Sequence, residues 1–124
     1  MHDRHEPPTE QRPWGRFVVV DQGVDLCVKR IEVLPGERLS LQRHAFRSEH
    51  WYVVRGVATV QLGERSFVLA AGQAVDIPLG AWHRLANPGS DLLVLIEVQT
   101  GVDCRESDIE RAEDDYGRGP AGGA

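Results

Sequence analysis

The sequence lacks the features that would indicate a membrane, nucleic-acid-binding or secreted protein. No apolar run approaches the ~20 residues needed to span a bilayer, and the polar start MHDRHEPPTE lacks the apolar core of a signal peptide. Acidic residues outnumber basic ones, which gives a formal net charge of −5. Nucleic-acid binders normally present a basic face instead. Cys27 and Cys104 are an isolated pair, which we expect to be reduced in a chain without a leader. We therefore expect a cytoplasmic protein with neither a nucleic-acid nor a membrane partner.

Long helical periodicity is also missing before residue 105, whereas turn sequences are frequent. Turn signals such as Pro35-Gly36 recur roughly every 8 to 12 residues, which is typical of an all-β sandwich or barrel. A chain of 124 residues has the length of one domain. We expect a flexible N-terminal arm over residues 1–12, one domain over residues 13–118, and a flexible tail over residues 119–124.

The end of the domain has a different pattern. Ser107 and Glu110 fit a capping box, with Ser107 as the N-cap. Apolar and aromatic residues between Ile109 and Tyr116 then recur at helical spacing. The pattern predicts a short helix at about 108–116 that packs against the barrel.

Potential metal ligands are concentrated in two stretches. The first, from Gly36 to Gly56, contains Gln42, His44 and Glu49. Because alternate residues of a strand share a face, Gln42 and His44 should point the same way. The second stretch, GQAVDIPLGAWHRLAN, supplies His83 from a distant strand. Together the four residues predict a metal site inside a β-barrel.

The spacing of both stretches resembles the two cupin motifs. The first reads Gly36-x5-Gln42-x-His44-x4-Glu49-x6-Gly56, and the second reads Gly72-x5-Pro78-x-Gly80-x2-His83-x3-Asn87. Most cupins carry histidine where this chain has Gln42. The resemblance implies a single cupin jelly-roll barrel with a metal site. The alternative is that these residues form a polar network in the core.

A narrower resemblance covers most of the chain, from about Arg12 to Arg118. The sequence is similar to the C-terminal domain of type II phosphomannose isomerases, which often follows a mannose-1-phosphate guanylyltransferase domain, and which also begins its ligand motif with Gln-x-His. The segments that carry it are RPWG, KRI, LSLQRH, EHW, IP, HRL, NP, IEVQ and RAEDDYGR. One departure is that the family continues the ligand strand with histidines, where this chain has Ala45 and Phe46. The resemblance implies interconversion of mannose 6-phosphate and fructose 6-phosphate through a cis-enediol.

One divalent cation is the cofactor that this ligand set suits. Neutral glutamine and histidines with one ionised glutamate leave the site about one net positive charge, which favours an anionic intermediate. An amide oxygen among the ligands favours Zn²⁺ first, with Mn²⁺ and Co²⁺ as alternatives.

The other candidate residues follow from the implied chemistry. A base separate from the metal ligands must move the carbon-bound proton, and the candidates are Lys29 and Glu97. Lys29 could instead extend its amine to the barrel rim. The phosphate of the substrate needs cations with fork geometry, and Trp14 could face the sugar or belong to the core. The phosphate-binding candidates, each of which could instead pair with an acidic neighbour, are Arg118, Arg84 and Arg111.

Two other functions remain open. The chain could be a non-catalytic cupin that binds a sugar phosphate or a metal ion, a reading that Ala45 and Phe46 favour. It could also be an isomerase or epimerase of another phosphosugar, since no residue fixes the configuration of the substrate. An iron dioxygenase is a weaker alternative because of the glutamine ligand. We expect a homodimer, as is common among cupins.

Overall fold

A computed structural model describes residues 9–117, which form eleven β-strands and no α-helix. The strands are β1 Thr9–Arg12, β2 Gly15–Gln22, β3 Leu26–Val33, β4 Leu41–Arg43, β5 Arg47–Arg55, β6 Val57–Leu62, β7 Arg65–Ala70, β8 Ala74–Ile77, β9 His83–Ala86, β10 Leu93–Gly101 and β11 Glu110–Glu113.

The strands form two antiparallel sheets that enclose one core. The six-stranded sheet has the order β1-β2-β3-β10-β5-β8, and the five-stranded sheet has the order β11-β4-β9-β6-β7. Strands far apart in the chain are neighbours, as in the pairing of β3 with β10 and of β4 with β9. The predicted cupin jelly roll is confirmed.

Period-two alternation explains how the core forms. Along β3 the buried residues alternate with less buried ones, as they do along β5 and β10. The inward positions of β5 and β10 include Val53 and Leu95, which are at most 1% exposed. Toward one end of the sandwich the same inward faces carry polar residues instead, among them Glu49 and Glu97. This polar end of the core is where the candidate site lies.

One glycine is required by a close approach of two strands. Gly15 begins β2 opposite Val33, and a Cβ atom built on it would lie 2.0 Å from the Glu32 carbonyl oxygen. Any larger residue would force β2 away from β3. Gly15 therefore allows the chain to enter the sheet directly after Trp14.

The predicted helix at about 108–116 is wrong. Residues Glu110–Glu113 form β11, which pairs with the ligand strand β4 and places Arg111 opposite Gln42. A helix of nine residues is marginal without tertiary support, whereas the edge of β4 offers backbone hydrogen bonds. The Asp108 carboxylate accepts from the backbone amides of Ala45 and Phe46, which fixes the start of this segment beside the end of β4.

Part of the expected N-terminal arm is a β-strand. Strand β1, Thr9–Arg12, lies within the range expected to be an arm, residues 1–12. The rest of that arm and the expected tail, residues 119–124, lie outside the described residues. Between Thr9 and Gly117 there is no helix that could cross a membrane.

Candidate metal centre

Three of the four expected metal ligands converge inside the sandwich. His44 follows β4, Glu49 lies on β5 and His83 begins β9, and each residue is less than 5% exposed. One donor atom from each residue lies within 4.8 Å of the others. His44 Nε2 is 3.1 Å from Glu49 Oε2, and His83 Nε2 is 3.6 Å from Glu49 Oε1. Ligands ~2.1 Å from a tetrahedral zinc ion lie roughly 3.4 Å apart, so this donor set fits a metal ion.

The two histidines are oriented by backbone carbonyl groups. His44 Nδ1 is 2.6 Å from the carbonyl oxygen of Asp108, and His83 Nδ1 is 2.9 Å from that of Ala81. Because a carbonyl oxygen can only accept, each Nδ1 carries the proton and Nε2 is the atom directed at Glu49. Hydrogen bonds of this kind fix the tautomer that a metal ion requires.

Gln42 lies beside these three residues. It is opposite His83 in the pairing of β4 with β9, and both residues line a small cavity of about 20 Å³ with Glu49. The Gln42 amide nitrogen donates to Ser40 Oγ at 3.1 Å. The amide oxygen is therefore the Gln42 atom that could bind a metal ion.

Arg47 is a buried cation at the centre that the sequence analysis missed. Its Nε donates to Glu49 Oε2 at 3.0 Å, and its Nη2 lies 3.3 Å from His44 Nε2. A third bond, 3.1 Å long, runs from Nη1 to the carbonyl oxygen of Arg105. Strand alternation could have revealed it, because Arg47 precedes Glu49 by two residues and must share its face.

A second buried carboxyl group, that of Glu97, lies next to Glu49. The indole nitrogen of Trp51 is 3.0 Å from an oxygen of each carboxyl group, and Gln99 donates to the other Glu97 oxygen at 2.8 Å. Burial and the adjacent charge of Glu49 raise the pKa of Glu97 to about 8. Burial alone would raise the pKa of Glu49, but the polar contacts with His44 and Glu97 hold it well below its usual value. Glu49 is therefore ionised, the state that a metal ligand needs, while Glu97 is more basic than an ordinary carboxyl group.

Lys29 and Glu97 lie opposite each other in the pairing of β3 with β10, and both side chains are buried. The Lys29 amine forms an ion pair with Glu106 and lies 4.3 Å from the centre of the Phe17 ring. Burial lowers the pKa of Lys29, and the charge of Glu97 opposes that shift. Of the two positions left open for Lys29, the barrel interior and the rim, the side chain takes the buried one, with its amine paired to the more exposed Glu106.

The expected substrate-binding residues have different positions. Trp14 is 4% exposed and belongs to the core, although it also lines a cavity of about 60 Å³ that reaches Gln42 and Glu97. Arg111 lines the same cavity. Arg84 is buried and bonds to the carbonyl oxygen of Leu39 and the carboxylate of Glu113, at 2.8 and 3.0 Å. Arg118 lies outside the described residues.

The sequence of the chain matches a known protein family. A family described as "Mannose-6-phosphate isomerase C-terminal" matches residues 2–114. The chain belongs to this family. Among the relatives of the chain is alginate biosynthesis protein AlgA of Pseudomonas aeruginosa, 52% identical over 86% of this chain. Another is mannose-1-phosphate guanylyltransferase ManC of Salmonella typhimurium, 46% identical over 94% of this chain.

The chain spans 22% and 24% of the lengths of these two relatives. A solved protein with a double-stranded β-helix domain, from Klebsiella pneumoniae, is similar over 92% of this chain and 90% of its own. Its TM-score of 0.69 at 21% identity supports the fold alone. Membership of the mannose-6-phosphate isomerase C-terminal family relates the chain to an isomerase domain.

Proposed function

We propose that the chain is a metal-dependent mannose-6-phosphate isomerase that interconverts mannose 6-phosphate and fructose 6-phosphate through a cis-enediol. The observation that carries the proposal is the convergence of His44, Glu49 and His83, beside a small cavity that Glu49 and His83 line together with a further carboxyl group, that of Glu97. An isomerase needs both features, a site for a cation and a separate group that can accept and return a proton.

The four residues that would hold the cation are Gln42, His44, Glu49 and His83. Zn²⁺ is the metal ion that we propose, with Mn²⁺ and Co²⁺ as alternatives, because the ligand set combines imidazole with oxygen donors. When bound, the cation supplies positive charge that stabilises the oxyanion developing at C1 and C2 of the sugar, an effect worth several kcal/mol.

Of the two candidate bases, Glu97 has the position that the reaction requires. Glu97 lines both the 20 Å³ cavity of the ligands and the adjoining 60 Å³ cavity, whereas Lys29 lines only the latter of these two. The hydrogen bond from Trp51 holds the Glu97 carboxyl group beside Glu49. Glu97 is therefore our proposed proton-transfer group, and it would move the proton between C1 and C2 of a sugar held at the cation.

The main alternative is a cupin that binds a sugar phosphate or a metal ion without catalysis. Its support came from Ala45 and Phe46, which replace histidines of the resembling family. Both side chains are exposed, and Phe46 is 50% exposed. Neither residue lines the two cavities at the centre. Ala45 does line an outer cavity of about 530 Å³ with His44. The lining of the two inner cavities does not include either replaced residue, which favours the isomerase over the binding module.

The experiment is an assay that couples fructose 6-phosphate formation from mannose 6-phosphate to a spectroscopic signal. Protein treated with chelator is refilled separately with Zn²⁺, Mn²⁺ or Co²⁺. His83→Ala should abolish tight metal binding and turnover. The matched control is His50→Ala, because His50 is exposed, pairs with Asp76 and neighbours Glu49 in sequence; it should retain both properties.

Either of two results would change the assignment. Turnover by His83→Ala at the rate of His50→Ala would refute the metal mechanism. A filled site without turnover of mannose 6-phosphate would favour the binding module, or an isomerase or epimerase of another phosphosugar.

We further propose that the protein is a cytoplasmic homodimer. Strand β1 lies at the edge of the six-stranded sheet, a position from which a second copy could extend the sheet. Sedimentation of the full chain measures the mass directly, and a monomer at all concentrations would refute the dimer.

A further inference from the structure

Four residues separate two neighbouring cavities at the end of the barrel. Arg12, Phe17, Lys29 and Glu106 line both the cavity of about 60 Å³ that reaches Gln42 and Glu97 and a second cavity of about 230 Å³ on the outer side. We call these four residues the junction. A ligand that passed from the outer cavity towards the metal centre would have to contact it.

Two cations of the junction lie against one aromatic ring. The guanidinium carbon of Arg12 is 5.0 Å from the centre of the Phe17 ring, and Lys29 Nζ is 4.3 Å from it. A ring face holds a cation in a defined place. Arg12 is paired with Glu10 at 3.5 Å, and the Glu10 side chain is 54% exposed. Because the cations of the junction are neutralised by exposed carboxylates, an external anion can compete for them.

The anion that now occupies the junction comes from the chain itself. The Lys29 side chain is 6% exposed, and a buried ammonium group requires a compensating negative charge. The Glu106 carboxylate supplies that charge, yet the Glu106 side chain is 54% exposed. Glu106 lies on the loop between β10 and β11, so it can leave Lys29 for solvent without uncovering a core. The Glu106 carboxylate can therefore be exchanged for another anion. An oxygen of an anionic ligand would take its position beside Lys29.

We propose that the junction is the phosphate subsite and that Glu106 closes it until the phosphate of the substrate displaces the carboxylate. The inference rests on the proposed function in taking the ligand to be a phosphate monoester. The 60 Å³ cavity joins the junction to Gln42 and Glu97. A hexose 6-phosphate would therefore place its phosphate on Arg12 and Lys29 and its C1–C2 end at the ligands. Arg84, which is bonded to Glu113, is not needed for this role.

The test uses inorganic phosphate as the probe. Isothermal titration of the full chain, treated with chelator so that phosphate meets no metal ion, measures binding at fixed ionic strength. The variants are Arg12→Gln, Lys29→Met and Glu106→Gln. The control is Glu110→Gln, which removes a charge from the same segment but from an ion pair with Arg43 outside both cavities. Thermal unfolding of each variant confirms that it is folded, and Arg12→Gln keeps the test valid if Lys29→Met fails to fold.

We expect phosphate to bind about tenfold more tightly to Glu106→Gln and about tenfold more weakly to Arg12→Gln and Lys29→Met, since each change removes one charged contact. Glu110→Gln should match the unaltered chain. Binding detected in Glu106→Gln alone also supports the closure. Equal affinity in Glu106→Gln and Glu110→Gln would overturn the displacement by phosphate. Undiminished binding in Arg12→Gln, or no binding in any variant, would overturn the subsite.

The two proposals can fail separately. Phosphate binding with the expected pattern, but without isomerase turnover, leaves the subsite in place and removes the isomerase. Turnover of mannose 6-phosphate with a KM that Arg12→Gln does not raise removes the subsite and leaves the isomerase.

Discussion

Asp108 should control how His44 is presented to a metal ion, although Asp108 is not itself a proposed ligand. Its two carboxylate oxygens accept hydrogen bonds, each 2.9 Å long, from the backbone amides of Ala45 and Phe46. Its carbonyl oxygen lies 2.6 Å from His44 Nδ1. Replacing Asp108 by alanine removes the two carboxylate bonds directly. It releases the backbone of residue 108, so the bond that fixes the His44 tautomer is lost with them.

The expected size of the effect follows from these contacts. A hydrogen bond to a charged group contributes ~1.5–3 kcal/mol when buried, and Asp108 is only half-buried. The two carboxylate bonds together should therefore be worth roughly 2–3 kcal/mol of unfolding free energy. Loss of a residue that orients a metal ligand typically weakens metal binding about 10–100-fold.

Urea denaturation measures the first quantity, and competition with a chromophoric chelator measures the second. Glu110→Ala is the matched control, because it removes an exposed partner of Arg43 from the same segment and should cost less than ~1 kcal/mol. Asp108→Asn should fall between the two variants, since an amide keeps one acceptor oxygen. Equal metal affinity in Asp108→Ala and Glu110→Ala would refute a role for Asp108 in orienting His44.

Three further predictions concern the metal centre and the proton-transfer group. Glu97→Gln should lower kcat by about 10²–10⁴-fold while metal affinity is retained, and an undiminished kcat would exclude Glu97 as the base. Gln42→His should keep metal binding and change kcat, because imidazole replaces an amide oxygen; an unchanged rate would show that the choice of this ligand is unimportant. Chelator should lower the unfolding temperature, since a metal ion at about 1,000 times its Kd stabilises the folded state by ~4 kcal/mol; an unaltered unfolding temperature in calorimetry would contradict a tight site.

The local rules of β-structure indicated an all-β sandwich or barrel, and the resemblance to the cupin motifs implied the jelly roll and the proposed ligands. Alternation along a strand predicts that Gln42 and His44 point the same way. Gln42 lines the small cavity with Glu49, and His44 lies 3.1 Å from Glu49. Frequent turn residues indicated short strands and hence a sandwich or barrel. The strands do form two sheets. The same alternation, applied to β5, would also have placed Arg47 beside Glu49.

The C-terminal segment shows where these rules end. Its residues fit helical spacing and a capping box with Ser107 as the N-cap, but the next residue, Asp108, bonds to the backbone of residues 45 and 46. Intrinsic preference over nine residues amounts to little free energy. The segment therefore forms a strand because the edge of β4 is available for pairing. Glu110 and Arg43 are 67 residues apart, so the sequence around residue 110 does not indicate this pairing.

The loop between β10 and β11 completes the site from outside the two motifs. Three of its residues each reach a different part of the centre: the Arg105 carbonyl accepts from Arg47, the Glu106 carboxylate pairs with Lys29, and the Asp108 carbonyl meets His44. Two of these contacts are made by backbone oxygens, which every residue possesses, so no residue type in the sequence could reveal them. Because one short loop bonds to a proposed ligand, to the arginine beside Glu49 and to the buried lysine, displacing Glu106 from Lys29 should also disturb its neighbours. The loop is thus the element through which an anion at the junction could alter the geometry of the metal centre.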